Sequence, residues 1–264
     1  MPSEMLLAIT RKPSPSIARC ELTHLTREAI DVARAVQQHQ QYERLLAELG
    51  CRVVSLPAQP ELPDSVFVED AAVVLDELAV MTRPGAASRR PESASVAAAI
   101  APHRPLAAIQ PPGTLDGGDV LRLGRRILVG LSGRSNRDGI EQLRALARPH
   151  AYAVEAVPVA GCLHLKSAAT QVAPDTVLLN PDWVEAAVFA GLGTIEVDAT
   201  EAHAANALWV GDRVIYPAAF PRTAERLRQS NIQLALVEVS EFAKAEGGVT
   251  CCSLILRAPN ALAD

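Results

Sequence analysis

The stretch Asp119-Val120-Leu121-Arg122-Leu123-Gly124-Arg125-Arg126-Ile127-Leu128-Val129-Gly130 reads as two short strands joined by a tight Gly-Arg turn. Apolar runs on either side of a glycine are the signature of a hairpin. A helix-period segment over about 138–147 and a further strand near 154–157 follow, so the unit is strand, strand, helix, strand. The same order lies upstream, where 65–69, 72–75 and 79–82 read as three extended pieces and a helix begins near Ser93. It lies downstream too, as extended 164–172 and 177–179, a helix around 182–190 and a strand at 194–197, with a further copy between Asn206 and Val239. Ahead of them all, an apolar stripe over 28–49 stopped by Gly50 predicts a long helix leading into a strand at 52–56. Modules repeated four or five times predict an α/β architecture, wound as an open sheet, a barrel or a propeller. Paired strands between helices disfavour a TIM barrel, which needs strict alternation of one strand with one helix.

With 264 residues, 49% of them apolar, the chain can bury a substantial core. No Gly/Ser-rich or Pro-rich linker divides it, which predicts a single catalytic domain over 1–264. The net charge is −5, without a block of like charges, so no nucleic-acid partner is expected. The longest apolar opening, Met5-Leu6-Leu7-Ala8-Ile9, is far shorter than a membrane span of about 20 residues. No membrane partner is expected, and the cytoplasm is the expected location. The five cysteines are odd in number and lack framework spacing, which fits a reducing compartment and leaves one free to be reactive.

Three segments offer chemistry. In Gly247-Gly248-Val249-Thr250-Cys251-Cys252-Ser253-Leu254-Ile255-Leu256, two glycines permit a close backbone approach at the start of what reads as the last strand. Alternation would send Cys251 and Cys252 to opposite faces, one toward a cleft and one into the core. Leu163-His164-Leu165-Lys166-Ser167 reads as an imidazole within an alternating strand, and Thr114-Leu115-Asp116-Gly117-Gly118-Asp119 sets two carboxylates around a glycine pair. Taken singly, these are small buried hydrophobes, a structural histidine and an ordinary turn. Together they supply the thiol, base and orienting acid of a Cys/His/Asp mechanism. The acidic pair ending 63–70 and the arginines of 83–90 suit a ligand carrying both a guanidinium and a carboxylate, if they share one cleft. No C-x-x-C, H-E-x-x-H, Walker A or G-x-G-x-x-G pattern is present, so neither metal nor cofactor is expected.

In order along nearly the whole chain, Asp31-Val32-Ala33-Arg34-Ala35 with Gln38-His39-Gln40, then 64–70, 82–90, 114–121, Gly130-Leu131-Ser132-Gly133-Arg134-Ser135-Asn136, 163–167 and 250–253 make the sequence resemble the dimethylarginine dimethylaminohydrolases, within the guanidino-group-modifying superfamily. The resemblance implies a five-bladed α/β propeller of repeated ββαβ modules around a central active-site channel. It implies cofactor-free hydrolysis of Nω-methylated arginines to citrulline through a covalent thiouronium. Cys251 would be the nucleophile, His164 the proton donor and later base, and Asp116 the acid that orients His164. Arg89 and Arg134 would bind the substrate α-carboxylate, while Asp64, with the carbonyls of Leu22 and Ala245, would bind its amino group. Glu69 and Asp70 would lie by the guanidinium, and Glu246, standing where the family pattern has aspartate, would be a substrate-gripping carboxylate displaced by its extra methylene. Dimers occur in the family, so a homodimer is admissible, with no residue marking its interface. Two other readings stay open. One is an arginine deiminase-like hydrolase, whose usual added helical module this chain has no room for. The other is a propeller that has lost catalysis and serves as a binding module.

Overall fold

The computed structural model describes residues 4–259. Strand β1 (Glu4–Arg11) leads through α1 (Val32–Glu48) to β2 (Cys51–Leu56), which pairs parallel to β1. Asp31 caps α1 by accepting the Arg34 N–H, and Gly50 at φ 86 turns the chain out of it. The helix therefore starts later than the apolar stripe suggests, since a side-chain cap outweighs periodicity at an N-terminus. Next come β3 (Ala72–Val74), β4 (Ala79–Met81), α2 (Ser93–Ile100) and β5 (Leu106–Ala108); then β6 (Val120–Leu123), β7 (Arg126–Leu131), α3 (Arg137–Ala147) and β8 (Ala153–Pro158); then, after the single turn α4 (Leu165–Ala168), β9 (Ala169–Ala173), β10 (Thr176–Leu179) and β11 (Gly193–Glu196). A further module is β12 (Leu208–Val210), β13 (Arg213–Pro217), α5 (Pro221–Gln229) and β14 (Leu234–Val237), and after the turn α6 (Ser240–Ala243) comes β15 (Leu254–Pro259).

Among the described residues these strands make five three-stranded sheets. In four of them, an antiparallel pair is extended by one parallel strand that returns through the crossover. In the remaining sheet, β15 pairs antiparallel with β1, so the last strand supplies the missing first strand of the opening module. The leading strands β3, β6, β9, β12 and β15 all contribute to the lining of one central cavity of about 320 Å³. Five small sheets set around a common channel form a propeller-like α/β fold. No described helix is long and apolar enough to cross a membrane.

Each crossover helix closes its own sheet. Ile140 and Leu143 of α3 pack on Ile127 and Val129 of β7 and on Val154 of β8, and Leu143 is fully buried. Leu143→Ala is expected to lower stability by about 2–5 kcal/mol through lost burial and the cavity left behind, read from the urea midpoint at unchanged slope.

Four segments differ from the sequence expectation. Residues 65–69 are turn followed by the 3-10 helix Val68–Ala71, because Asp64 O takes the Phe67 N–H and Cys251 O takes the Glu69 N–H in place of a ladder. The segment 182–190 keeps only the 3-10 turn Ala186–Phe189, with Glu185 extended at ψ 128. His164 is not inside a strand: it is an extended residue capping α4, and β9 begins at Ala169. The last strand starts at Leu254, so Cys251 and Cys252 lie in the turn that precedes it. In the three segments read as strands, short runs containing buried apolar residues imitate strand alternation, whereas 182–190 reads as a helix and holds only one 3-10 turn.

Candidate active site

The turn carrying Cys251 is held from beneath by α1 and from the side by the strand-leading loops. The Tyr42 hydroxyl of α1 donates to Val249 O at 2.8 Å and lies 2.7 Å from Ser253 Oγ. Asn206 Oδ1 accepts the Thr250 N–H at 3.1 Å. Gly247 must be glycine because a Cβ there would stand 2.3 Å from the Phe67 ring. Cys251 Sγ accepts the Gly248 N–H at 3.3 Å and faces a cavity, while Cys252 is buried in the core around Tyr42 and Phe242. The two thiols have the opposite surroundings expected of them, although they lie in a turn and not in a strand.

His164 enters the same cavity from the N-cap of α4. Its Nε2 is 3.0 Å from Asp116 Oδ2, and its Nδ1 is 4.0 Å from Asp70 Oδ1. The 4% exposed residue is fixed from outside by a third acid, Asp119, to which sequence reasoning gave no role. Asp119 accepts the Leu165 N–H at 3.0 Å and the hydroxyls of Ser132 and Ser135 at 2.6 Å. Ser135 Oγ in turn accepts the Asp116 N–H, so one carboxylate aligns both the imidazole and its partner. Gly118 permits this density, since a Cβ there would lie 2.6 Å from His164 Nδ1.

Charge follows geometry. Burial disfavours the imidazolium, but Asp70, the hydrogen bond to Asp116 and nearby Asp119 outweigh it and lift His164 to about 9. Burial pushes Asp70 up, yet His164, Arg89 and the Gly118 N–H carry it down to about 2. Burial, with Glu69 and Asp70 nearby, pushes the Cys251 thiol up to about 12. At neutral pH the site holds a thiol, an imidazolium and carboxylates, ready to receive a cation. Asp70, Asp116 and His164 also place potential metal-ligand atoms within 4.8 Å of one another. A protonated imidazole offers no lone pair, so the trio suits proton transfer better than metal binding.

The other end of the cavity carries Asp64, Arg89, Arg134, Ala245, Glu246, Phe67 and Glu21. Arg134 forms no ion pair among the described residues; its Nη2 donates to Thr23 Oγ1 at 3.0 Å. Arg89 is buried and largely committed: it donates to Asp70 Oδ2 at 2.6 Å, to both Glu92 oxygens and to the carbonyls of Asp64 and Phe67. Little of its five-donor fork is left for a ligand. Asp64 accepts the Glu21 N–H at 3.1 Å. Glu246 accepts the backbone N–H groups of Thr23, His24 and Leu25 at 3.0, 2.5 and 2.6 Å. The loop around residues 21–25 thus lies over the cavity. The free space left is about 20 Å³, roughly that of a single water.

Two expected ligand residues do not line this cavity. Leu22 packs into the core around Cys20 and Phe67, and its neighbour Glu21 reaches the cavity instead. Glu69 points to the opposite side, where it lines the central channel with Lys166 and Thr250, both of which donate to its carboxylate. Adjacent residues of a 3-10 turn diverge, so Glu69 and Asp70 face different openings. Sequence offered no signal for Glu92 or Lys166 beyond their charge, while Asp119 stood out only as the second carboxylate beside the Gly117-Gly118 pair.

The arginine deiminase family model matches residues 58–208. An N(G),N(G)-dimethylarginine dimethylaminohydrolase of Streptomyces coelicolor is 41% identical over 258 residues, covering 97% of this chain and 98% of that protein. The structure of a dimethylarginine dimethylaminohydrolase from Pseudomonas aeruginosa, a cysteine-to-serine mutant complexed with citrulline, superposes with a TM-score of 0.91 at 33% identity, covering 96% of this chain and 100% of that one. A histidine-to-glycine form of a dimethylarginine dimethylaminohydrolase, an adduct with S-methyl-L-thiocitrulline, superposes with a TM-score of 0.89 at 33% identity, covering 94% of this chain and 98% of that one.

Proposed function

The chain belongs to the dimethylarginine dimethylaminohydrolase family, and from that premise we propose that it hydrolyses Nω-methylated arginines to citrulline and dimethylamine or methylamine. The observation that carries this reading is one cavity holding the Cys251 thiol and the His164–Asp116 pair together with Asp64 and Arg134. One shared channel lined by all five sheets supports reading the chain as a single catalytic domain. With all five cysteines unbridged, a reducing cytoplasm suits it.

A guanidinium carbon is a weak electrophile, its positive charge being shared by three nitrogens. Asp70 beside the cavity favours the cation and fixes its plane. The bound cation in turn favours the Cys251 thiolate, which burial and the neighbouring acids otherwise suppress, and the thiol proton leaves to solvent as the substrate binds. Sulfur attacks the guanidinium carbon, and the proton on His164 passes to the methylated nitrogen as its bond to carbon breaks. A covalent thiouronium remains on Cys251. His164, now neutral and still held by Asp116, takes a proton from water as the oxygen adds to the same carbon. The C–S bond then breaks as the new hydroxyl gives up its remaining proton to solvent, which yields citrulline and the thiolate. Arg134 meets the α-carboxylate and Asp64 the α-amino group, spanning the length of the amino acid.

Incubating the purified protein with asymmetric dimethylarginine, monomethylarginine and arginine, and measuring citrulline colorimetrically, tests the proposal. Citrulline from the methylated substrates is the expected result; citrulline from arginine alone would assign deiminase chemistry, and none from any would leave a binding module. Arg134→Ala is expected to raise KM about 10- to 100-fold with little change in kcat, since a charge-assisted hydrogen bond to the unreacting end is worth about 1.5–3 kcal/mol. Steady-state kinetics with dimethylarginine check it; an unchanged KM would remove Arg134 from the site.

A further inference from the structure

Glu246 sits at φ 57, in the left-handed region that residues with a Cβ seldom occupy. The turn before the nucleophile thus adopts an unfavourable backbone to aim this one side chain. Its carboxylate does not reach toward the thiol. It gathers three successive N–H groups of the covering loop, those of Thr23, His24 and Leu25. Consecutive amides converging on one anion form a nest, and such charge-assisted bonds are the strong ones.

The loop has other fastenings, but they differ in kind. The Glu21 N–H rests on Asp64, the Glu21 carboxylate accepts from Ser88 Oγ at 2.6 Å, and Thr23 Oγ1 takes a bond from Arg134. Both Asp64 and Arg134 are residues that an amino-acid substrate would claim for its own ammonium and carboxylate. An arriving substrate competes for those two contacts and leaves the Glu246 contacts untouched. Since about 20 Å³ of free space cannot admit an arginine derivative, the loop has to lift before substrate enters, and the three-amide nest, with the single Ser88–Glu21 bond beside it, is what resists.

We infer that Glu246 is a latch: a positioning residue that holds residues 21–25 closed over Cys251, and whose release opens the site to substrate and product. The inference rests on the reading of this cavity as the substrate site. The longer glutamate side chain, unexpected at this position, is suited to reaching across to the loop.

Two variants separate the latch from simple damage to the fold. Glu246→Gly deletes the carboxylate at a φ that glycine adopts freely, so the backbone is relieved while the latch is lost. Glu246→Gln keeps the shape and removes the charge. The readout is the rate of iodoacetamide alkylation of Cys251, followed by mass spectrometry of its peptide across a range of pH. Glu246→Gly is expected to alkylate at least tenfold faster than the parent at every pH, with Glu246→Gln in between. A rise below threefold in Glu246→Gly, or a mere displacement of the rate curve along the pH axis, would overturn the latch, the latter because it reports altered thiol acidity and not altered access. Alkylation requires no turnover, so the latch is tested even in a protein inert toward methylarginines.

Discussion

Replacing Cys251 by serine will lower citrulline formation by about 10⁴-fold or more, the scale seen when a nucleophile that acts within a catalytic unit is removed. Oxygen is close to isosteric with sulfur, so the turn, its bonds to Tyr42 and Asn206, and the melting temperature should be nearly unchanged. What changes is the capacity to carry negative charge. Even the thiol is pushed to about 12 by burial and the neighbouring acids, and a hydroxyl in the same surroundings would be far harder to ionise. Cys252→Ser is the contrasting variant. That side chain is 2% exposed and packed in the core, so a hydroxyl there should cost about 1–3 kcal/mol of stability and leave the chemical step intact. Citrulline yield over long incubation, with circular dichroism on both variants, decides the matter. Near-normal turnover in Cys251→Ser would show that another group attacks the carbon.

Asp116→Asn should lower kcat by about 10²- to 10⁴-fold, since the acid both fixes the imidazole and stabilises its charge. The pH dependence gives the sharper check. His164 is raised from 6.5 to about 9, so the stability that its charge contributes is fully present below 6.5 and is lost as the pH climbs through about 9. The alkaline limb of kcat, which reports loss of the imidazolium acid, should lie in the same region for the parent. The amide in Asp116→Asn removes one of the interactions that raise His164, leaving Asp70 and Asp119. The alkaline limb should therefore move to lower pH. A limb that stays in place while kcat falls would mean that Asp116 acts on something other than His164.

The modules were legible because each depends on local pattern: a hairpin closed by Gly124 and a helix with an apolar face recur whatever the ring around them. The ring itself was not legible, since nothing in the periodicity states how successive sheets turn relative to one another. At the site, Cys251, His164 and Asp116 were singled out by residue type and resemblance and are found close together, but their conformations could not be read. Both Cys251 and His164 read as strand residues and are found in a turn and at a helix cap. These positions are set by long-range bonds, Tyr42 to Val249 and Leu165 to Asp119, which no window of sequence contains. Glu69 shows the same limit. Its neighbour Asp70 reaches the imidazole, while Glu69 is drawn by Lys166 and Thr250 to the far opening.

The pairing of β15 with β1 also sets a timetable for synthesis. At about 5–20 residues per second, the ribosome delivers the second partner of this sheet roughly ten to fifty seconds after the first. Through that interval β1 offers an unsatisfied edge, a template for adhesion to other nascent chains. The sulfur emerges just ahead of the strand that seals the ring. A polypeptide stalled before that point lacks the proposed nucleophile and carries an open sheet edge for a chaperone to shield.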